Sequence, residues 1–163
     1  MRLIEDEVMS ARSRASGLLW LCDMATVLGV LCLAPVRWRN QFGREPVSRI
    51  FDAIEADVKR HRAISIAPET IAYLVRRRTI LTVRWRRTRC LLRGMLLQYL
   101  LARAGWTITL HIGCDISDAS GLVSHCWISS PDLTEANYFM SSDGMKEIYC
   151  KTVFARSHDG APG

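Results

Sequence analysis

Residues 89–105, RCLLRGMLLQYLLARAG, decide how the chain is read. Leu91, Met95, Leu97 or Gln98, and Leu101 recur at three- and four-residue steps, the spacing of one buried helical face. Gly105 follows the last periodic residue, where a glycine commonly ends a helix. Cys90 stands at the front of this pattern. The unpaired N–H groups of a first helical turn favour negative charge, and Arg87 and Arg89 add positive potential beside it. Past Gly105 the period changes: residues 106–114, WTITLHIGC, alternate β-branched residues and predict a strand.

Working outward from that helix, the upstream chain reads as helical. A first long helix is expected over residues 8–34, stopped at Pro35. Residues 40–45, with Gly43, form a connection. A second helix over 48–62 places Ile50, Phe51, Ile54 and Val58 on one face. Pro68 opens a third, with Glu69 at its positive end. Downstream, 115–121 (DISDASG) is a loop by composition, 122–129 a second strand, 137–140 a third, and 147–154 a last. The tail 156–163 reads as disordered. Helices followed by a small antiparallel sheet make an α+β fold. The organisation expected is a helical region over 1–65, a catalytic core over 66–155 and the tail.

Composition narrows the function classes. The 163 residues suit one globular unit, and about half of them are apolar, which excludes disorder throughout. The net charge of +6 is carried almost wholly by arginine, the only lysines being Lys59, Lys146 and Lys151. Such a surface favours anionic partners. Between Arg76 and Arg89 seven arginines alternate with Ile80, Leu81, Val83 and Trp85. That segment is either a solvated face over packed apolar residues, a docking surface for an acidic peptide, or a grip on nucleic acid, the last the least favoured. The six cysteines have neither C-x-x-C pairing nor zinc spacing, so no metal or other cofactor is expected. With Glu5-Asp6-Glu7 in place of a basic leader region, the thiols are expected to be reduced and the protein cytoplasmic. Residues 17–35 approach the roughly 20 apolar residues of a spanning helix. Asp23 lies inside them, and arginines flank both sides, so a buried or partner-facing helix is expected ahead of a membrane contact.

A nucleophilic cysteine needs a base. Of four histidines, His111 and His125 fall in expected strands, where a side chain facing the helix reaches its first turn. His125 is the better placed, because the hairpin after it returns Asp132, Glu135 and Asn137 as candidates to orient the ring. Cysteines in amphipathic helices are usually packing residues, and spacing alone leaves Cys90 as one.

A resemblance changes that balance. Arg89-Cys90-Leu91-x-Arg93 with Met95-Leu96-Leu97, the run Leu100-Leu101-x-x-x-Gly105, Ile112-Gly113, and His125-Cys126-Trp127-Ile128 follow in one order. Together they resemble the signature of the lasso-peptide leader peptidases, microcin-processing cysteine proteases of transglutaminase-like, papain-like fold. The likeness covers residues 70–140, and more loosely Pro35 to Gly43. It implies Cys90 as nucleophile, His125 as general base, and backbone N–H groups of Cys90 or Leu91 as the oxyanion site. The family's third member, an aspartate, falls on Asn137, with Asp132 as the alternative. Cys126 replaces the family's alanine and is read as packing. The implied partners are a precursor leader peptide, a separate leader-recognition protein and a lasso cyclase. The competing classes are a non-proteolytic transglutaminase-like amide hydrolase or acyltransferase, and an arginine-rich binding module without catalysis.

Overall fold

The computed structural model describes residues 2–42, 44–81, 89–117, 121–133 and 146–154. Four helices precede three strands: α1 (Arg2–Gln41), α2 (Val47–Arg60), α3 (Pro68–Leu81), α4 (Arg89–Arg103), β1 (Ile108–Ser117), β2 (Gly121–Ser129) and β3 (Lys146–Val153). The α+β expectation is met, and so are the second, third and fourth helices. The strand expected at 137–140 lies outside the described residues, as do residues 82–88 of the arginine-rich segment and the tail.

Helix α1 does not stop at Pro35. It runs on to Gln41 with the proline inside it. Proline removes the N–H that would bond the carbonyl four residues earlier, here that of Leu31. The Arg78 Nε on α3 donates to that same carbonyl at 3.3 Å. The freed acceptor is therefore satisfied from another helix, and the turns beyond Pro35 carry Trp38 into the core. The same helix brings Asp23 inside. Its carboxylate accepts from the Arg62 guanidinium and from the Ser65 backbone N–H at 2.7 Å.

Helix α4 is the centre of the core. Every residue from Met95 to Ala102 is buried. Phe51 and Ile54 of α2, Ile71 and Val75 of α3, and Ile108 and Leu110 of β1 share one apolar cluster with it. Gln98 is fully buried, and its Nε2 donates to the Ile108 carbonyl at 3.3 Å and the Lys151 carbonyl at 2.6 Å. That amide ties the helix to β1 and β3 together. Gly105, at φ +94°, ends the helix in the left-handed region that glycine tolerates.

The sheet is antiparallel in the order β2-β1-β3. The two ends of the segment 115–121 are strand where a loop was expected: β1 continues to Ser117 and β2 begins at Gly121, because the pairing extends to Ser117↔Gly121. Burial alternates along β2, with Cys126 and Ile128 buried and His125, Trp127 and Ser129 half-buried. The pairs Leu110↔Ile128 and Ile112↔Cys126 therefore face α4.

Where α4 meets β2 the approach is close. A Cβ on Gly94 would lie 2.6 Å from Cys126 Sγ and 2.7 Å from Leu110 Cδ1. Gly94→Ala is expected to destabilise the fold by about 1–3 kcal/mol in chemical denaturation, through overpacking. Adding Cys126→Ala should recover part of that loss. A Gly94→Ala protein as stable as the parent would show that the two elements are not held in contact.

Candidate functional site

Cys90 occupies the first turn of α4 and is half-buried, as is Leu91. Both belong to the end of the helix whose N–H groups lack intrahelical acceptors. Arg93, one turn on, is half-buried. Burial, and then the nearby charge of Arg76, lowers its pKa from the ordinary guanidinium value.

Across from this turn sits Cys126, which is 1% exposed. Burial, and then the neighbouring Cys90 sulfur, pushes its thiol up to about 12. Cys126 is therefore a protonated packing residue at neutral pH, and its sulfur is within electrostatic reach of Cys90. His125 is the next residue along β2, half-buried and paired with Gly113. The alternation that turns Cys126 toward α4 turns His125 to the sheet's other face. The expectation of a histidine facing the helix is corrected in that respect. Among the described residues no hydrogen bond joins His125 to Cys90. Strand β2 is the edge of the described sheet.

Asp132 is engaged elsewhere. Its Oδ2 accepts from the Thr107 backbone N–H at 3.4 Å, and its own N–H donates to Ser130 Oγ at 3.2 Å. Thr107 precedes Gly113, the cross-strand partner of His125, by six residues, or roughly 20 Å of extended chain. In this structure Asp132 is thus bonded beside the start of β1, and Gly113 lies further along that strand. Asn137 and Glu135 lie outside the described residues.

The face turned away from α4 carries a group of residues that the sequence did not connect. The Nδ1–H of His111 donates to the Glu147 carboxylate, and Ser129 Oγ meets Nε2 of the same ring at 2.7 Å. The Trp127 indole stacks on His111 at 5.3 Å with an interplanar angle of 4°. It also covers Gly113, where a Cβ would lie 2.7 Å from the indole ring. An irregularity in the β1–β3 pairing, between Ile112 and Gly113, puts Glu147 opposite Gly113 and Cys150 opposite His111. Both residues thereby reach the same face. His111 was visible as a strand histidine, but nothing in the spacing pointed to Glu147, because a bulge cannot be read from alternation.

A cavity of about 460 Å³ lies between α1, α2 and α4. It is lined on one side by Val30, Leu33 and Ile54 and on the other by Asp57, Tyr99 and Arg103, and includes neither Cys90 nor His125. The Tyr99 hydroxyl donates to Asp57 there at 2.7 Å. Burial first, and then that carboxylate, raises the phenol to about 12. Among the described residues, no three of His, Cys, Asp and Glu converge as a metal site requires.

All six cysteines are free thiols, so alkylation tests the site. Cys126 should resist iodoacetamide at neutral pH, because burial both shields its thiol and holds it protonated. Cys90 is expected to label ahead of every other cysteine, as read by peptide mass mapping over time. Labelling of Cys126 at the rate of the exposed Cys22 and Cys32 would contradict the packing described here.

No curated protein and no solved structure matches the chain. A family model described as the transglutaminase-like superfamily matches residues 29–137, roughly two-thirds of the sequence, taking in Cys90, His125 and Asn137. A half-buried cysteine in the first turn of the central helix, packed on an antiparallel sheet, agrees with that match, and the chain belongs to the transglutaminase-like superfamily.

Proposed function

We propose that this protein is a cysteine peptidase that removes the leader segment from a ribosomally made precursor peptide of the lasso type. The observation that carries the reading is the position of Cys90. It opens the buried helix α4, and one turn on, at Gly94, that helix packs against Cys126, the neighbour of His125. The superfamily includes cysteine peptidases and transglutaminases built on a Cys-His-Asp set, and the matched range contains Cys90, His125 and Asn137. The lasso-type substrate rests on the sequence motifs around Cys90 and His125.

In this mechanism the Cys90 thiolate attacks the scissile carbonyl carbon while His125 holds the proton. The developing oxyanion is received by the N–H groups of Cys90 or Leu91, which are not consumed by the helix. His125 then gives its proton to the departing amine, and the C–N bond breaks. The core peptide leaves with a free N-terminus, and the leader remains as a thioester. Water, deprotonated by His125, attacks that thioester and returns the thiol. Asn137 orients the ring in place of the superfamily's carboxylate. His125 lies on the face of β2 turned away from α4, so this role requires its ring to reach Cys90 round the edge of that strand. A separate leader-recognition protein presents the precursor, and a cyclase consumes the product.

Incubation with the precursor and recognition protein encoded beside it, followed by mass spectrometry, tests the reading. The intact protein should yield a free leader and a core peptide. Cys90→Ala should abolish the reaction, and His125→Ala should slow it by about 100-fold or more. Asn137→Ala should cost far more than Asp132→Ala. Cleavage that survives Cys90→Ala ends the peptidase reading. A stable leader–amine adduct in place of hydrolysis would reassign the chain to acyl transfer.

A further inference from the structure

Among the described residues, three polar side chains are buried: Asp23, Gln98 and Arg103. Asp23 is matched by the Arg62 guanidinium, and the neutral Gln98 amide donates to two backbone carbonyls. Arg103 is different. It is 7% exposed, yet no carboxylate among the described residues comes within ion-pair distance of it. Its Nη2 donates to the Arg62 carbonyl at 2.7 Å, while its Nε has no acceptor. A guanidinium taken out of water without an opposite charge is costly, and what this one lacks is an anion.

Arg103 lines the cavity between α1, α2 and α4. At about 460 Å³ that space falls within the roughly 300–1,000 Å³ of small-molecule sites, which are apolar with a few convergent polar groups. Val30 and Leu33 of α1 and Ile54 of α2 form its aliphatic wall. Its charged lining sets two arginines, Arg37 and Arg103, against one carboxylate, Asp57. That carboxylate is already committed: it accepts from the Tyr99 hydroxyl at 2.7 Å, and its other oxygen lies 3.5 Å from His61 Nδ1. Arg37 is exposed, and makes no ion pair among the described residues. An uncharged ligand would leave Arg103 uncompensated, and a polyanion would bring in more charge than the cavity balances. A single carboxylate matches both the excess charge and the planar guanidinium.

We infer that this cavity binds a small aliphatic monocarboxylate, its chain along Val30, Leu33 and Ile54 and its carboxylate against Arg103. The exposed Arg37 draws the anion in. Because the walls belong to three helices, the ligand fastens α1 to α2 and α4, and binding registers as thermal stability. Cys90 and His125 lie outside the cavity, so the site stands apart from the peptidase reading.

Isothermal titration of the full chain with sodium decanoate, below its micelle concentration, tests the site. One equivalent should bind, and the thermal midpoint should rise by about 5 °C at a hundredfold excess over Kd. Decanol, which has the chain without the charge, should bind about tenfold more weakly or worse. Arg103→Met should bring decanoate down to the level of decanol. Gly29→Leu adds a side chain on the cavity wall, where a Cβ meets no atom within 4 Å, and should abolish decanoate binding with the circular dichroism spectrum unchanged. This variant decides the question if Arg103→Met fails to fold. Cys90→Ala should bind as the parent does. Absence of saturable binding, equal affinity for decanoate and decanol, or decanoate binding that survives Gly29→Leu overturns the inference.

Discussion

The contact between Cys126 Sγ and Gly94 sets the distance between helix α4 and its sheet. Because position 94 has no side chain, β2 comes against the backbone of α4 one turn after Cys90. Gln98, one turn further on, bonds carbonyls of β1 and β3. A slide of α4 along the sheet would break both of those bonds inside an apolar core, where unsatisfied amides are costly. The first turn of α4 is therefore held from two sides, and the position of Cys90 follows from packing that its own side chain does not supply.

The N-terminal half shares this apolar core, and charged and polar pins fix it further. Asp23 reaches Arg62 and Ser65, Arg78 reaches the Leu31 carbonyl, and Lys151 on β3 meets both Asp52 and Glu55 on α2. Arg103 on α4 donates to the Arg62 carbonyl at 2.7 Å, drawing the α2–α3 connection onto the same helix. In a chain this rich in arginine, the guanidinium groups of Arg78 and Arg103 are thus structural donors to backbone carbonyls, and that of Arg62 to a buried carboxylate. Composition counts them all as surface charge; the fold uses several of them as hydrogen-bond fixtures.

Much of this was legible because it depends on period. Helix α4, the face Ile50-Phe51-Ile54-Val58 of α2, and the alternation of β1 and β2 are each written in neighbouring residues. What escaped depends on partners distant in sequence. Pro35 reads as a stop, since the residue that rescues the Leu31 carbonyl is 47 positions away. The stretch 115–121 reads as a loop by its Asp, Ser and Gly content, although cross-strand pairing holds its ends as strand. Alternation states that His125 and Cys126 lie on opposite faces, but not which of them meets the helix. Only the packing of Gly94 decides that. The bulge that brings Glu147 to His111 has no local signal at all.

The central claim is that Cys90 works with His125, reached round the edge of β2, and not with the better-connected His111. The most direct measurement is the rate at which a neutral alkylating reagent labels Cys90 across pH 5–9, in the parent, His125→Ala and His111→Ala proteins. The account predicts that His125→Ala slows Cys90 labelling near neutrality by about tenfold or more and removes an inflection from the profile. His111→Ala should leave the rate within about twofold. Labelling that is indifferent to His125, or that falls instead with His111, would contradict it.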